Sequence, residues 1–283
     1  MYEKFYGLSR SPFSLLPDPS FLYMSRQHVM ALTLLKYSLM SKHPVTVITG
    51  EVGSGKTTLI NRLLDDVNEQ FKVGLINFTD QRVMQLWPWI LQAFGLPYSN
   101  KSTVGMYDEF VQFLSGQSAH GRTTVLIVDE AQNLGPKALE SLRMLSNVNT
   151  RSVLLQLILV GQPEFRETLK RADFRQLNQR VSVFYRLDPF TLAETQRYIA
   201  HRLEVAGGRA ETFTPEAAAM IWMESGGIPR RVNTLCDLAL IYAFSSERSV
   251  VDEAIAREML ADREEMAVQT EGPVAGTGSN CLI

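Results

Sequence analysis

The run Gly50-Glu51-Val52-Gly53-Ser54-Gly55-Lys56-Thr57-Thr58 has the residue types and spacing of a phosphate cradle. It fits G-x-x-x-x-G-K-[ST] at every fixed position, the P-loop pattern. Gly50, Gly53 and Gly55 can take backbone angles that turn successive N–H groups inward, which makes an anion nest at the positive end of a helix dipole. Lys56 would add a mobile point charge across the β- and γ-phosphates of a triphosphate. The Thr57 hydroxyl would supply one oxygen to an octahedral Mg2+ that keeps most of its waters. Further along, the apolar run Val125-Leu126-Ile127-Val128 ends in Asp129-Glu130. Two acids ending such a run mean little alone. Downstream of a P-loop they read as a Walker B pair, with Asp129 holding Mg2+ through water and Glu130 orienting and polarising the attacking water.

Cations come next. Between Glu164 and Arg186 stand Arg166, Lys170, Arg171, Arg175, Arg180 and Arg186, against only Glu164, Glu167 and Asp173. A charge run of this kind is ordinarily a solvated helix face. Arg180 differs, because it sits immediately before the apolar run Val181–Tyr185, where a last core strand should start and from where an arginine can reach a neighbouring subunit's nucleotide. Arg175 is the second candidate; an arginine supplied in trans contributes about 10³- to 10⁵-fold in rate. Arg230 falls in the first turn of a helix, where a cation opposes the dipole, so another use is indicated, such as leaning over the nucleotide. A solvent-facing arginine is the plainer alternative.

These residues need strands to carry them. Val45–Thr49 and Val125–Val128 are β-branched or apolar runs of the sort buried on both faces of a parallel sheet, and Val153–Val160 is another. Val73–Phe78 and Val181–Tyr185 complete five strands. Helices are expected at Ser25–Ser41 with Ser25 as N-cap, from Lys56 onward, at Val83–Phe94, Val104–Leu114 and Pro136–Leu145. Ser115–Thr124 reads as a turn-rich loop. Beyond Pro189 the strands stop, and Thr191–Ala206, Pro215–Ser225, Pro229–Ser245 and Asp252–Met266 show helical periodicity, with Thr214-Pro215 an N-cap and N1 proline. The division that follows is 1–44, a lead-in and helix packing on the core; 45–189, the nucleotide-binding core; 190–266, a helical lid; and 267–283, a disordered tail poor in periodicity.

Composition narrows the function. The 283 residues are 45% hydrophobic and 20% charged, ordinary for a globular chain, and the formal net charge of -2 gives no global attraction to nucleic acid. Cys236 and Cys281 form neither a disulfide framework nor a C-x-x-C site, and His28, His43, His120 and His201 lack ligand spacing, so no zinc site is expected. No window reaches the roughly 20 apolar residues of a membrane span, and the start lacks a signal-peptide core. A cytoplasmic protein, held at the inner membrane only through a partner, is the expectation.

The order of P-loop, intervening strand, Asp-Glu strand, further strand, arginine-rich connection and helical lid resembles the AAA+ superfamily. That resemblance implies an α/β P-loop NTPase with a parallel five-stranded sheet ordered 5-1-4-3-2, an all-helical C-terminal lid, ATP bound between core and lid, and homo-oligomeric rings or filaments. It also implies that Gln162, at the tip of the strand after Walker B, is the first sensor, although it could merely cap the loop before Pro163. Asn77, ending the second strand, looks like the polar switch that restrains Glu130. Narrower blocks are similar to the general secretion pathway protein A (ExeA-type) ATPases: Tyr6-Gly7-Leu8, Pro12-Phe13, Pro17-Asp18-Pro19-Ser20-Phe21-Leu22-Tyr23, His28, Asp129-Glu130-Ala131-Gln132, Gly161-Gln162-Pro163-Glu164 and Gly227-Ile228-Pro229-Arg230-Arg231. The layout is closer to short stand-alone ATPases found with exosortase and polysaccharide export. The expected function is ATP-driven assembly or regulation of a secretion or surface-polysaccharide export apparatus. The alternative is an ATP-gated DNA-binding regulator of the transposition-ATPase (TnsC/MuB) kind, for which the basic Arg166–Arg186 stretch speaks.

Overall fold

The computed structural model describes residues 1–16, 18–77, 85–149 and 153–270, so Pro17 and Cys281 lie outside it, as do Phe78 and the expected start of a helix at Val83. The chain divides into two compact units: Met24–Pro189, and Met1–Tyr23 together with Phe190–Ile283.

The first is an α/β unit. It contains α1 (Arg26–Met40), β1 (Val45–Gly50), α2 (Lys56–Asp66), β2 (Phe71–Asn77), α3 (Trp87–Ala93), α4 (Thr103–Ala119), β3 (Thr123–Asp129), α5 (Pro136–Ser146), β4 (Leu155–Gly161), α6 (Pro163–Lys170), α7 (Arg175–Asn178) and β5 (Val181–Leu187). The strands form one sheet in the order β2-β3-β4-β1-β5, every pair parallel. That is the order the resemblance implied. Because side chains alternate across a strand, neighbouring residues serve opposite layers. Val45 and Val47 of β1, Leu126 and Val128 of β3, and Leu157 and Leu159 of β4 pack with α3, α4, α5 and α6. Ile48, Val125, Ile127, Ile158 and Val160 pack with Ala31, Leu35 and Leu39 of α1 and Leu59, Ile60 and Leu63 of α2. Full burial of each Val, Leu or Ile contributes about 1.5–3 kcal/mol, so the three central strands are the anchor of the unit.

Several boundaries differ from expectation, and two have a visible cause. α4 runs on to Ala119, five residues past Leu114, and absorbs half of the loop expected at Ser115–Thr124. Ser115 Oγ donates to the Val111 carbonyl inside the helix, and a methyl at Gly116 would meet nothing, so neither residue forces a break. β4 starts at Leu155, with Val153 and Leu154 ahead of it. Asn149 closes that connection, its Oδ1 accepting from the N–H groups of Leu154 and Leu155.

The second unit is helical: α8 (Leu192–Val205), α9 (Pro215–Ser225), α10 (Pro229–Ser245) and α11 (Glu253–Thr270). Thr191 and Glu194 form a capping box on α8, and Thr214 caps α9 ahead of Pro215. α11 continues through Thr270, so Ala267–Thr270 belong to a helix rather than to the expected tail; the rest of that tail lies outside the described residues. The lead-in is corrected as well. Residues 1–23 belong to this unit and not to the core: Tyr2, Leu8, Phe13 and Phe21 are buried among Tyr198, Ile199, Leu203, Val232, Leu235 and Cys236. Arg202 secures them. Its Nε donates to the Pro12 carbonyl, Nη2 to the Ser14 carbonyl at 3.2 Å and Nη1 to the Tyr198 hydroxyl at 3.0 Å, with the guanidinium 4.5 Å over the Phe21 ring. A buried arginine is held here by neutral carbonyls and an aromatic face. Among the described residues no helix is long and apolar enough to cross a membrane.

Candidate nucleotide site

Parallel strands present a ligand site beyond their carboxyl ends. Register aligns those ends: Thr49 of β1 pairs with Gly161 of β4, and Asn77 of β2 with Asp129 of β3. Gly50–Thr58, Asp129-Glu130, Gln162 and Asn77 therefore share one edge of the sheet.

The loop after β1 has the backbone an anion nest requires. Gly53 and Gly55 have φ of +81° and +94°. A Cβ at Gly50 would come 2.7 Å from Ser54 Oγ and 3.0 Å from Leu187, and one at Gly55 would come 2.9 Å from His28 Nε2, so the loop is closed to larger residues. Gly55 is the N-cap of α2 and no side chain caps that helix, which leaves its first-turn N–H groups for another acceptor. Ser54 Oγ is buried without a hydrogen-bond partner among the described residues. Val52, Thr57 and Thr58 are exposed along the loop and helix start.

Lys56 is buried, and its Nζ donates to the carbonyls of Gly50 at 2.8 Å and Glu51 at 3.0 Å. Burial pulls the ammonium below the ordinary lysine range, opposed by the carboxylates of Glu130, Asp129, Glu51 and Glu164. The Thr57 hydroxyl donates to Asp129 Oδ2 at 2.7 Å, across 72 residues of sequence. Asp129 is almost fully buried, and its other oxygen accepts the Glu130 N–H at 2.9 Å. Glu130 itself has φ +54° and ψ 42°, a left-handed backbone that a non-glycine residue adopts at a cost of about 1–3 kcal/mol. The strand thus ends abruptly and the Glu130 side chain departs from the alternation of β3. A cradle closed to side chains, a buried cation, an orphaned hydroxyl and a hydroxyl–carboxylate pair suit a triphosphate and a hard, oxygen-seeking cation such as Mg2+.

Two contributors escaped the sequence reading except as parts of family blocks. His28, buried in the first turn of α1, donates from Nε2 to the Ser54 carbonyl at 3.0 Å while Nδ1 accepts from the Ser25 hydroxyl at 2.8 Å, so the α1 cap braces the phosphate loop. Gln132 donates to the Glu130 carboxylate and accepts the Gln162 N–H at 2.9 Å. Among the described residues, then, the hydrogen bond to the Glu130 carboxylate comes from Gln132; Asn77 is exposed on the edge strand, beside Asp129 in register. Gln162 is the N-cap residue of α6, yet among the described residues its side chain makes no cap bond.

The basic stretch is largely engaged within the chain. Arg180 donates to the Ser146 carbonyl at 2.6 Å and to Asn147 Oδ1 at 2.5 Å, capping the end of α5. Arg166 lies 4.6 Å over the Phe184 ring; Lys170 pairs with Glu167, Arg171 with Asp173 and Arg186 with Asp188. Arg175 is exposed at the head of α7 and makes no ion pair among the described residues. Arg230 is in the first turn of α10, in the helical unit.

Comparison with known proteins agrees with this arrangement. Residues 39–169 match the family described as AAA domain. The chain is 40% identical over 247 residues to "General secretion pathway protein A" of Aeromonas hydrophila, a stretch that is 87% of this chain and 45% of that protein. It therefore spans less than half the length of the relative it matches. Among solved structures it superposes on Drosophila ORC bound to DNA with a TM-score of 0.69 at 18% identity, over 94% of this chain and 68% of that one. For the Aeropyrum pernix ORC2 protein the TM-score is 0.64 at 20% identity, over 90% and 72%. At those identities the likeness is one of fold. The cradle, the sheet order and the Aeromonas relative agree: residues 39–169 match an AAA domain, and the chain as a whole is similar to General secretion pathway protein A.

Proposed function

We propose that this protein hydrolyses ATP with Mg2+ at the Gly50–Thr58 cradle and uses the cycle to assemble or regulate a secretion or surface-polysaccharide export apparatus. The observation that carries the catalytic part is the Thr57–Asp129 pair at 2.7 Å, which joins the start of the phosphate-loop helix to the end of β3. Thr57 and Asp129 would hold the metal, which when bound neutralises charge on the phosphate oxygens. Lys56 exchanges the Gly50 and Glu51 carbonyls for phosphate oxygens. Glu130 takes the proton of the attacking water. Gln162 and Arg230 sense the nucleotide, and Asn77 restrains Glu130 in the inactive phase. A neighbouring copy completes the site with a cation from the Arg175–Arg180 segment; Arg180 must surrender its α5 cap to do so, whereas Arg175 need not.

The secretion part is supported by the name of the Aeromonas relative, and residence at the inner membrane through a partner goes with it. The DNA-binding alternative has thinner support, because the arginines that suggested it mostly have partners in the chain.

Phosphate release as a function of protein concentration tests this. Glu130→Gln should lower kcat by roughly 10²- to 10⁴-fold with nucleotide still bound, and Lys56→Ala should weaken binding by roughly 10- to 100-fold. Chelation of Mg2+ should stop turnover. Arg175→Ala should lower kcat only at concentrations where copies associate, and mixing it with Glu130→Gln should restore activity. Glu130→Gln turning over at the parent rate would remove the proposed mechanism.

A further inference from the structure

The Gln132 side chain has two ends with different tasks. It stands in the 3-10 turn Ala131–Asn133 that follows Glu130. Nε2 donates to Glu130 Oε2, and Oε1 accepts the N–H of Gln162, the residue that follows β4. The pairing fixes the amide's orientation, since turning it over would set donor against donor and acceptor against acceptor. Gly161 makes the close approach feasible: a Cβ there would lie 3.1 Å from Gln132 Oε1 and 3.2 Å from Phe165 Cβ. Gly161 is also the register partner of Thr49, next to the phosphate loop. The carboxylate of Glu130, on a strained left-handed backbone, is therefore tied through one amide to the strand tip beside the cradle.

We infer that Gln132 is a positioning residue: it aims the Glu130 carboxylate and makes that aim follow the tip of β4. The inference rests on Glu130 acting in hydrolysis. With Oε2 occupied by the amide, Oε1 is the oxygen left to accept a proton from water, and a shift of the Gly161-Gln162 peptide moves it. Asn77 then has no exclusive claim on Glu130.

Gln132→Glu separates the two ends, because it keeps an acceptor for the Gln162 N–H and replaces the donor toward Glu130 with a second carboxylate. Near neutral pH kcat should fall by roughly 10- to 100-fold, with nucleotide affinity unchanged. Gln132→Ala, which loses both bonds, should lower kcat at least as far, again with nucleotide affinity unchanged. A parental kcat in both variants, or loss of nucleotide binding in both, would overturn the assignment. A parent protein whose turnover survives Glu130→Gln would instead remove the hydrolytic reading, and this assignment with it.

Discussion

Lys56 carries a charge that its surroundings resist. Its ammonium is drawn below the ordinary value of 10.5 by burial, only partly offset by four carboxylates. Between the lowered value and 10.5 the unfolded chain binds more protons than the folded one, so the Lys56 contribution to stability rises with pH across that window and is flat below it. An anionic phosphate favours the charged amine. Once pH exceeds the lowered value, nucleotide binding should therefore take up a proton and weaken. Titration calorimetry in buffers of different ionisation enthalpy reads the uptake; in Lys56→Met it should vanish. At this scale the sequence was informative where a motif fixes both residue type and spacing, as at Lys56, Thr57, Asp129 and Glu130. It gave His28 no role beyond its place in a family block, because a single imidazole becomes a brace for Ser54 only when α1 folds against the loop. Arg180 shows the converse limit: its position before β5 is visible in the sequence, but the α5 carbonyl it caps lies 34 residues away.

Among the elements, the joint between α9 and α10 has the tightest backbone contact. Gly227, at φ +69°, lies so near Phe190 that a Cβ would come 2.1 Å from its carbonyl oxygen. The Phe190 N–H donates to the Gly227 carbonyl at 2.8 Å, and Trp222 Nε1 donates to the Phe190 carbonyl at 2.9 Å. Gly227→Ala should destabilise the protein by roughly 2–5 kcal/mol, since both the backbone angle and the space forbid the methyl. Gly226→Ala, also at positive φ but facing open space, should cost only about 1 kcal/mol. Calorimetric unfolding of the two variants checks the contrast. The glycine pair was legible as a helix stop; the segment it grips was not. In α4, Ser115 and Gly116 are weak helix formers, and packing of Phe110 and Leu114 on the sheet overrides that preference.

For the whole molecule, the misplacement of residues 1–23 is the instructive error. Aromatic residues spaced by prolines announce that they will pack, but not on what. The sheet order was legible through the family resemblance, whereas the lead-in depends on contacts nearly two hundred residues away, such as Arg202 with Pro12. Deleting Met1–Tyr23 should expose Tyr198, Leu203 and Cys236 and lower the melting temperature by at least several degrees. Circular dichroism would check this, and an unchanged transition would mean the segment is dispensable.

The α/β unit is one uninterrupted stretch, Met24–Pro189, lodged between the two pieces of the helical unit. On the ribosome this dictates a schedule. Tyr2, Phe13 and Phe21 emerge ahead of the α/β unit and must wait, greasy and unaccompanied, while the entire sheet is synthesised and closes. Only when α8 and α10 emerge can they find shelter, so residues made ahead of the sheet settle after it, and a chaperone that shields nascent aromatics would have its longest engagement at residues 1–23.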